Sequence, residues 1–257
     1  MKLLIVGNGF DLAHKLPSSY EKFKNFLKDR DKELFETLEY LYPKEALWSD
    51  FETALGHPKT SFLDYVERVF GVQPFDGAWS REVSKGFEKW AANLLLQEAS
   101  DLSHNHPFLK YLDPKSLVLT FNYTKTPEEK YHIDDVLHIH GDATWLHFGF
   151  NERLVFGHEH IEGSTNSLVV ATEKPVDKII DKNRLWFDRL SRRGIDEIVV
   201  MGCSYSTVDL PYFLEIRKQC PAAKWVLFVH NENDLAKATA WSRVLPLLPA
   251  ERSFQIC

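Results

Sequence analysis

Lys2-Leu3-Leu4-Ile5-Val6, followed at once by Gly7-Asn8-Gly9, decides how this chain is read. An apolar run this short, closed by glycines, describes a strand buried on both faces, as in the middle of a parallel sheet. The same run imitates the start of a secretory leader. It stops before the roughly 7–15 apolar residues that such a leader needs, so it is read as a first core strand.

Working outward, the pattern changes at Ser18. Tyr20, Phe23, Leu27, Leu34, Leu38 and Leu41 recur at helical spacing, with Ser18 or Ser19 as cap and Pro43 as stop. Trp48, Phe51, Leu55, Phe62 and Tyr65 continue in helical fragments, interrupted by Gly56, Pro58 and Pro74. Phe87, Trp90, Ala91, Leu94, Leu95 and Leu102 mark a further helix. Residues 19–112 are therefore expected to be mainly helical. Strands return at Ser116–Phe121, Val136–His140, Arg153–Phe156 and Leu168–Ala171. From there strand and helix alternate: helix Asp177–Arg193, strand Glu197–Met201, helix Leu210–Gln219, strand Trp225–Val229, helix Asp234–Leu245 and an edge strand Ser253–Ile256. Such alternation predicts one α/β domain over residues 1–257, with a Rossmann-like, mostly parallel sheet and a large helical insertion, 19–112, after the first strand.

Composition narrows the partners. The 257 residues carry 31 Lys plus Arg against 37 Asp plus Glu, a net charge of −6. Interspersed charge at a pI near 6.0 offers no basic footprint for nucleic acid. No stretch approaches the roughly 20 apolar residues of a membrane span. Three scattered cysteines, Cys203, Cys220 and Cys257, fit reduced thiols in a cytoplasm. The aromatics Trp48, Trp79, Trp90, Trp145 and Trp186 read as core or as an interface on which copies of the chain would pair.

Ligands of open α/β sheets bind beyond the carboxyl ends of the strands, and four such ends here carry small or polar residues. Gly7, Asn8 and Gly9, with Phe10 and Asp11, follow the first strand; a glycine loop there lets backbone amides approach phosphate. The equal alternative is a tight turn, since the third glycine of the dinucleotide fingerprint is replaced by Leu12. Thr120 and Asn122 close the second strand; the amide of Asn122 suits a water or a ribose hydroxyl, or a local turn. His138 and His140 share one face of their strand. They read as metal ligands of a hydrolase or nuclease, with Asp142, His158 or His160 completing the set, as a pair with one catalytic base, or as one ring buried and bonded to backbone and one packed. No metal is expected. Gly202 and Ser204 with Asp209 suit a second nucleotide-binding loop, and Asp209 is read at least in part as the N-cap of the helix opening at Leu210-Pro211. Ser204 lacks the nucleophile elbow because position 206 is Ser. Cys203 reads as inert packing.

The order of these pieces resembles the bacterial AbiH proteins. Leu4-Ile-Val-Gly-Asn-Gly-Phe-Asp-Leu-Ala-His14 and Leu16-Pro-Ser-Ser-Tyr20 look like their N-terminal signature. Trp48-Ser-Asp-Phe-Glu52, Leu119-Thr-Phe-Asn-Tyr-Thr124, His138-Ile-His-Gly141, Phe156-Gly-His158, Lys174-Pro175, Gly202-Cys-Ser-Tyr205 and Asp209-Leu-Pro-Tyr-Phe213 agree with it. The resemblance implies a bacterial cytoplasmic protein of abortive infection, answering to a phage-derived trigger. More distantly, the chain is similar to sirtuin-like NAD-consuming domains. That likeness implies a pyrophosphate beside Gly7, Asn8 and Gly9, and Asn122 positioning water or the nicotinamide ribose. It also implies His140 as base and Ser204 closing a nucleotide site. Two positions depart from the sirtuin-like pattern: Thr124, where Asp is usual, and the Gly7-Asn-Gly-Phe-Asp11 opening. The expectation is hydrolysis of the nicotinamide–ribose bond of NAD, with Asp11 stabilising the positive charge that builds on the sugar. A sensor that binds a nucleotide or a phage protein without turnover is the alternative.

Overall fold

In the computed structural model, residues 1–59, 77–144, 154–164 and 166–257 are described, the side chains of 77–80 and 167 excepted. Six strands, β1 (Lys2–Val6), β2 (Leu117–Thr120), β3 (Val136–His138), β4 (Glu197–Met201), β5 (Lys224–Val229) and β6 (Arg252–Ile256), form one sheet in the order β3-β2-β1-β4-β5-β6. Every pairing is parallel. The helices are α1 (Asn8–Ala13), α2 (Tyr20–Arg30), α3 (Lys32–Leu41), α4 (Lys44–Ser49), α5 (Phe51–Leu55), α6 (Gly77–Leu94), α7 (Thr126–Tyr131), α8 (Ser167–Ala171), α9 (Val176–Lys182), α10 (Arg184–Leu190), α11 (Leu210–Gln219) and α12 (Glu232–Val244).

This strand order is that of doubly wound dinucleotide-binding sheets. The chain begins in the middle, steps outward to β3, then returns past β1 to β4. The direction of winding therefore switches between β1 and β4, the position at whose carboxyl ends α/β sheets hold ligands. Both faces of β1 are covered, which is why its sequence is a continuous apolar run and not an alternating one. Leu4, Val6, Val118, Val199, Met201, Val226 and Phe228 lie on one face with Phe10, Phe108, Tyr111 and Ile133. Leu3, Ile5, Leu117, Leu119, Ile198, Val200, Trp225 and Leu227 are equally buried on the other.

The chain forms two compact units. One comprises Met1–Pro17, Gln97–Asp142 and Pro175–Cys257 and holds the sheet. The other comprises Ser18–Leu96 and Ala143–Lys174. Its helical part thus ends before residue 112, and a later segment joins it. This second unit is built on an aromatic cluster in which Phe23 meets Trp48, Phe51, Phe87 and Trp90.

Several elements differ from the sequence expectation, each for a local reason. The helix expected from Tyr20 to Leu41 is two. Asp31 ends α2 and caps α3, accepting a hydrogen bond from the Leu34 amide. Ser19 caps α2 as expected. Asp177–Arg193 divides into α9 and α10 at Asn183, whose side chain bonds back to the Ile179 carbonyl. Leu168–Ala171 is helical and not a strand, with Asn166 bonding the Leu168 amide as cap. Leu154–Phe156 forms no strand, and the nearby extended pairing is the single His158–Glu173 bridge. Phe62, Tyr65, Pro74, Trp145 and Arg153 lie outside the described residues. Among the described residues no helix is long and apolar enough to cross a membrane.

Candidate functional site

The candidate site in the sheet-bearing unit, at the carboxyl ends of the strands, begins with three glycines. Gly7 donates its amide to the Met201 carbonyl at 2.9 Å, and Gly9 donates to the Gly202 carbonyl at 2.8 Å. A Cβ on Gly7 would fall 2.7 Å from Gly202 O, and one on Gly9 2.7 Å from Gly202 Cα. Gly202 has φ +66, and a Cβ there would sit 2.3 Å from the Phe10 nitrogen. The glycines let the connections leaving β1 and β4 cross in contact at the switch point. Since the amides of Gly7 and Gly9 are held by the neighbouring loop, a ligand at this loop meets Asn8, which is exposed. Phe10 is fully buried against Phe108, His14 and Tyr131 and faces the core.

Four polar residues at alternate positions, Thr120, Asn122, Thr124 and Thr126, leave the end of β2. Thr120 is fully buried and its Oγ1 accepts the Asn122 amide at 3.0 Å, which fixes the turn. Asn122 Nδ2 donates to the Gly7 carbonyl at 3.0 Å, and the same side chain bonds to Asp11. With its amide nitrogen so engaged, the group it has left for a ligand is the carbonyl oxygen, an acceptor. Asp11 is 1 % exposed. Thr124 Oγ1 donates to Oδ2 at 2.6 Å and Thr126 Oγ1 to Oδ1 at 2.8 Å. Burial pushes the Asp11 carboxyl up to about 6, against the threonine and asparagine hydrogen bonds and the His138 charge. Asp11 was expected beside the sugar. Its carboxylate is instead turned onto its own protein and ties α1 to the loop after β2.

His138 and His140 divide their duties. His138 donates Nδ1–H to the Asn122 carbonyl at 3.1 Å, and its Nε2 lies 2.7 Å from Glu128 Oε1. Burial opposes its charge, yet Glu128, Asp142 and the Asn122 carbonyl together hold its pKa above the ordinary value. His140 is 3 % exposed and packs against Phe121 and Tyr212. Its Nε2 is 4.0 Å from Asp209 Oδ1, a gap that one bridging hydroxyl or water spans. Asp209 occupies the N-cap position of α11, but its side chain makes no capping bond. The expected cap is thus positional only, and the carboxylate faces the histidine. Asp142 pairs with Lys125 at 3.2 Å. Among the described residues no group of three His, Cys, Asp or Glu side chains is placed to hold a metal ion. In the loop after β4, Ser204 is exposed, and burial pushes the Cys203 thiol well above its usual range.

Sequence reasoning missed Thr124, Thr126 and Glu128. The alternation of polar residues from Thr120 to Thr126 was the available signal, since a period of two places them on one side. It also missed His14. This histidine is fully buried, donates Nδ1–H to the Phe10 carbonyl and accepts from Tyr131, both at 2.7 Å. Burial lowers its pKa, so it stays a neutral structural link.

The second unit gathers the remaining motif residues. Glu52 receives the Tyr20 hydroxyl at 3.3 Å and the Lys174 ammonium at 2.7 Å. The Lys174 side chain is 1 % exposed. His158 is buried, with Nε2 bonded to the Val169 carbonyl at 2.9 Å. Gly56 lies so close to this ring that a Cβ would meet it at 3.0 Å. The resemblance motifs of this unit therefore form a structural lock.

The family model described as bacteriophage abortive infection AbiH matches residues 3–229, a span that includes every strand-end residue described above. A comparison with curated proteins found no match.

Proposed function

Because this chain belongs to the bacteriophage abortive infection AbiH family, we propose that its part in abortive infection is to bind a nucleotide at the carboxyl ends of β1 and β4 and to hydrolyse the nicotinamide–ribose bond of NAD. The observation that carries this reading is the pair His140 Nε2 and Asp209 Oδ1, 4.0 Å apart at the carboxyl end of the sheet. Asn122 lies two residues beyond the neighbouring strand end. A water held between histidine and carboxylate is polarised toward the sugar. Its oxygen forms a bond to the anomeric carbon as the carbon–nitrogen bond breaks. The electron pair leaves with neutral nicotinamide, and the proton passes to His140, whose charge Asp209 stabilises. Asn122 accepts from a ribose hydroxyl or from that water. Asp11 keeps Asn122 in place from behind.

The experiment is chromatography of nicotinamide released from NAD by purified protein, alone and after exposure to phage lysate. His140→Ala and Asn122→Ala should each lose release by about 100-fold or more while keeping the wild-type circular dichroism. Full phage protection by both variants would refute the assignment. One observation favours a second reading, binding without turnover: the Asp11 carboxylate is taken up by Thr124 and Thr126, not presented to a sugar. That reading predicts saturable NAD or ADP-ribose binding with no nicotinamide released.

A further inference from the structure

His138 touches no atom in the proposed reaction, yet its surroundings define its charge. Nδ1 faces the Asn122 backbone carbonyl at 3.1 Å, and Nε2 faces Glu128 Oε1 at 2.7 Å. A carbonyl oxygen only accepts, so Nδ1 carries a hydrogen. A neutral ring has one such hydrogen, and its Nε2 would then set a lone pair against the carboxylate. With both nitrogens protonated, both contacts are hydrogen bonds. Glu128 adds to this. Its other oxygen, Oε2, is buried and has no hydrogen-bond donor among the described residues, so its charge is met through Oε1 and the ring. The charged and titratable groups facing His138 are Glu128 from α7, Asp142 from the segment after β3, with Lys125 paired to it, and Asp11 from α1.

We infer that His138 is a positioning residue held as an imidazolium: anchored on Glu128, it grips the Asn122 carbonyl and so fixes the direction of the Asn122 side chain. Gly7 holds the same side chain from the other side. The inference rests on the reading that Asn122 orients the reacting hydroxyl. It makes Glu128 part of the machinery although Glu128 touches no substrate.

The test uses the full chain with nitrogen-15 histidine and asparagine. Long-range proton–nitrogen spectra at neutral pH should show both His138 ring nitrogens protonated. On raising the pH, the Asn122 side-chain amide resonances should shift with the same midpoint as the ring. Glu128→Gln, a near-isosteric change, should leave the ring neutral at neutral pH. It should also lower kcat for NAD about 10- to 100-fold with KM little changed. A neutral His138 in the wild type, or an Asn122 resonance that ignores the ring's titration, overturns the inference. Absence of NAD turnover in the wild type would remove the proposed reaction while the spectra still decide the role of His138.

Discussion

Asp11→Asn is the substitution that tests the electrostatics at the ends of β1 and β2 most directly. Burial raises the Asp11 carboxyl from the usual 3.8 to about 6. A carboxyl with a raised pKa binds its proton more tightly in the folded chain than in the unfolded one. It therefore favours the fold when protonated and opposes it when ionised. Its contribution is fully present below the unfolded pKa of 3.8 and is lost as pH rises through about 6. At 1.36 kcal/mol per unit, that loss is about 3 kcal/mol. Since the side chain is 1 % exposed, solvent screening removes little of it. The asparagine variant has no such titration. It keeps one acceptor for a threonine hydroxyl and offers a donor to the other. The measurement is hydrogen exchange of the β1 and β2 amides, corrected for intrinsic rate, in both proteins from about pH 4 to about pH 7. These amides report the sheet-bearing unit, so unfolding of the other unit does not enter. The stability of the wild type relative to the variant should fall by about 2.5 kcal/mol across that range, most of it below about pH 6. A difference that stays constant with pH would refute the reasoning, because it would mean that the carboxylate does not pay for its burial.

Two further perturbations address the backbone and the second unit. Gly202→Ala should destabilise the chain by about 2–5 kcal/mol, because the new Cβ meets the backbone of Gly9 and Phe10 in addition to the positive φ. Gly194→Ala, at φ +62 with open space around it, should cost only about 1 kcal/mol, both variants being compared with the wild type in urea melts. Glu52→Gln removes the carboxylate facing the buried Lys174 and should cost about 3–5 kcal/mol. Adding Lys174→Met should recover part of that loss in thermal melts, giving a coupling above about 1 kcal/mol; strict additivity would show that the pair does not interact.

The crossing glycines show how legible the site was. Gly7, Gly9 and Gly202 are legible at strand ends from sequence, as phosphate loops or tight turns alike. Their close mutual packing depends on β1 and β4 being neighbours, and a single sequence does not state which strands adjoin. His140 and Asn122 stand out in the sequence because they lie at strand ends, where α/β sheets place their ligands. The partnership of His140 with Asp209 was hidden by a competing local signal: Asp before Leu-Pro reads as a cap, and only the fold reveals that its side chain turns elsewhere. Leu168–Ala171 failed for a different reason. A short apolar run suits a buried strand and a buried helical turn alike, and the Asn166 cap tips it to helix.

By itself, the sequence determined the parallel sheet, since an uninterrupted apolar pentapeptide closed by glycine is tolerable only where both faces are covered. It also determined which strand ends carry polar groups. Tertiary structure alone decided what those groups do. Asp11 is joined to Thr124 and Thr126 across more than a hundred residues of chain, and the His138 ring meets a carboxylate on another element. A side chain's charge and direction are set by the atoms within a few ångströms of it, and strand order, not sequence distance, brings those atoms together.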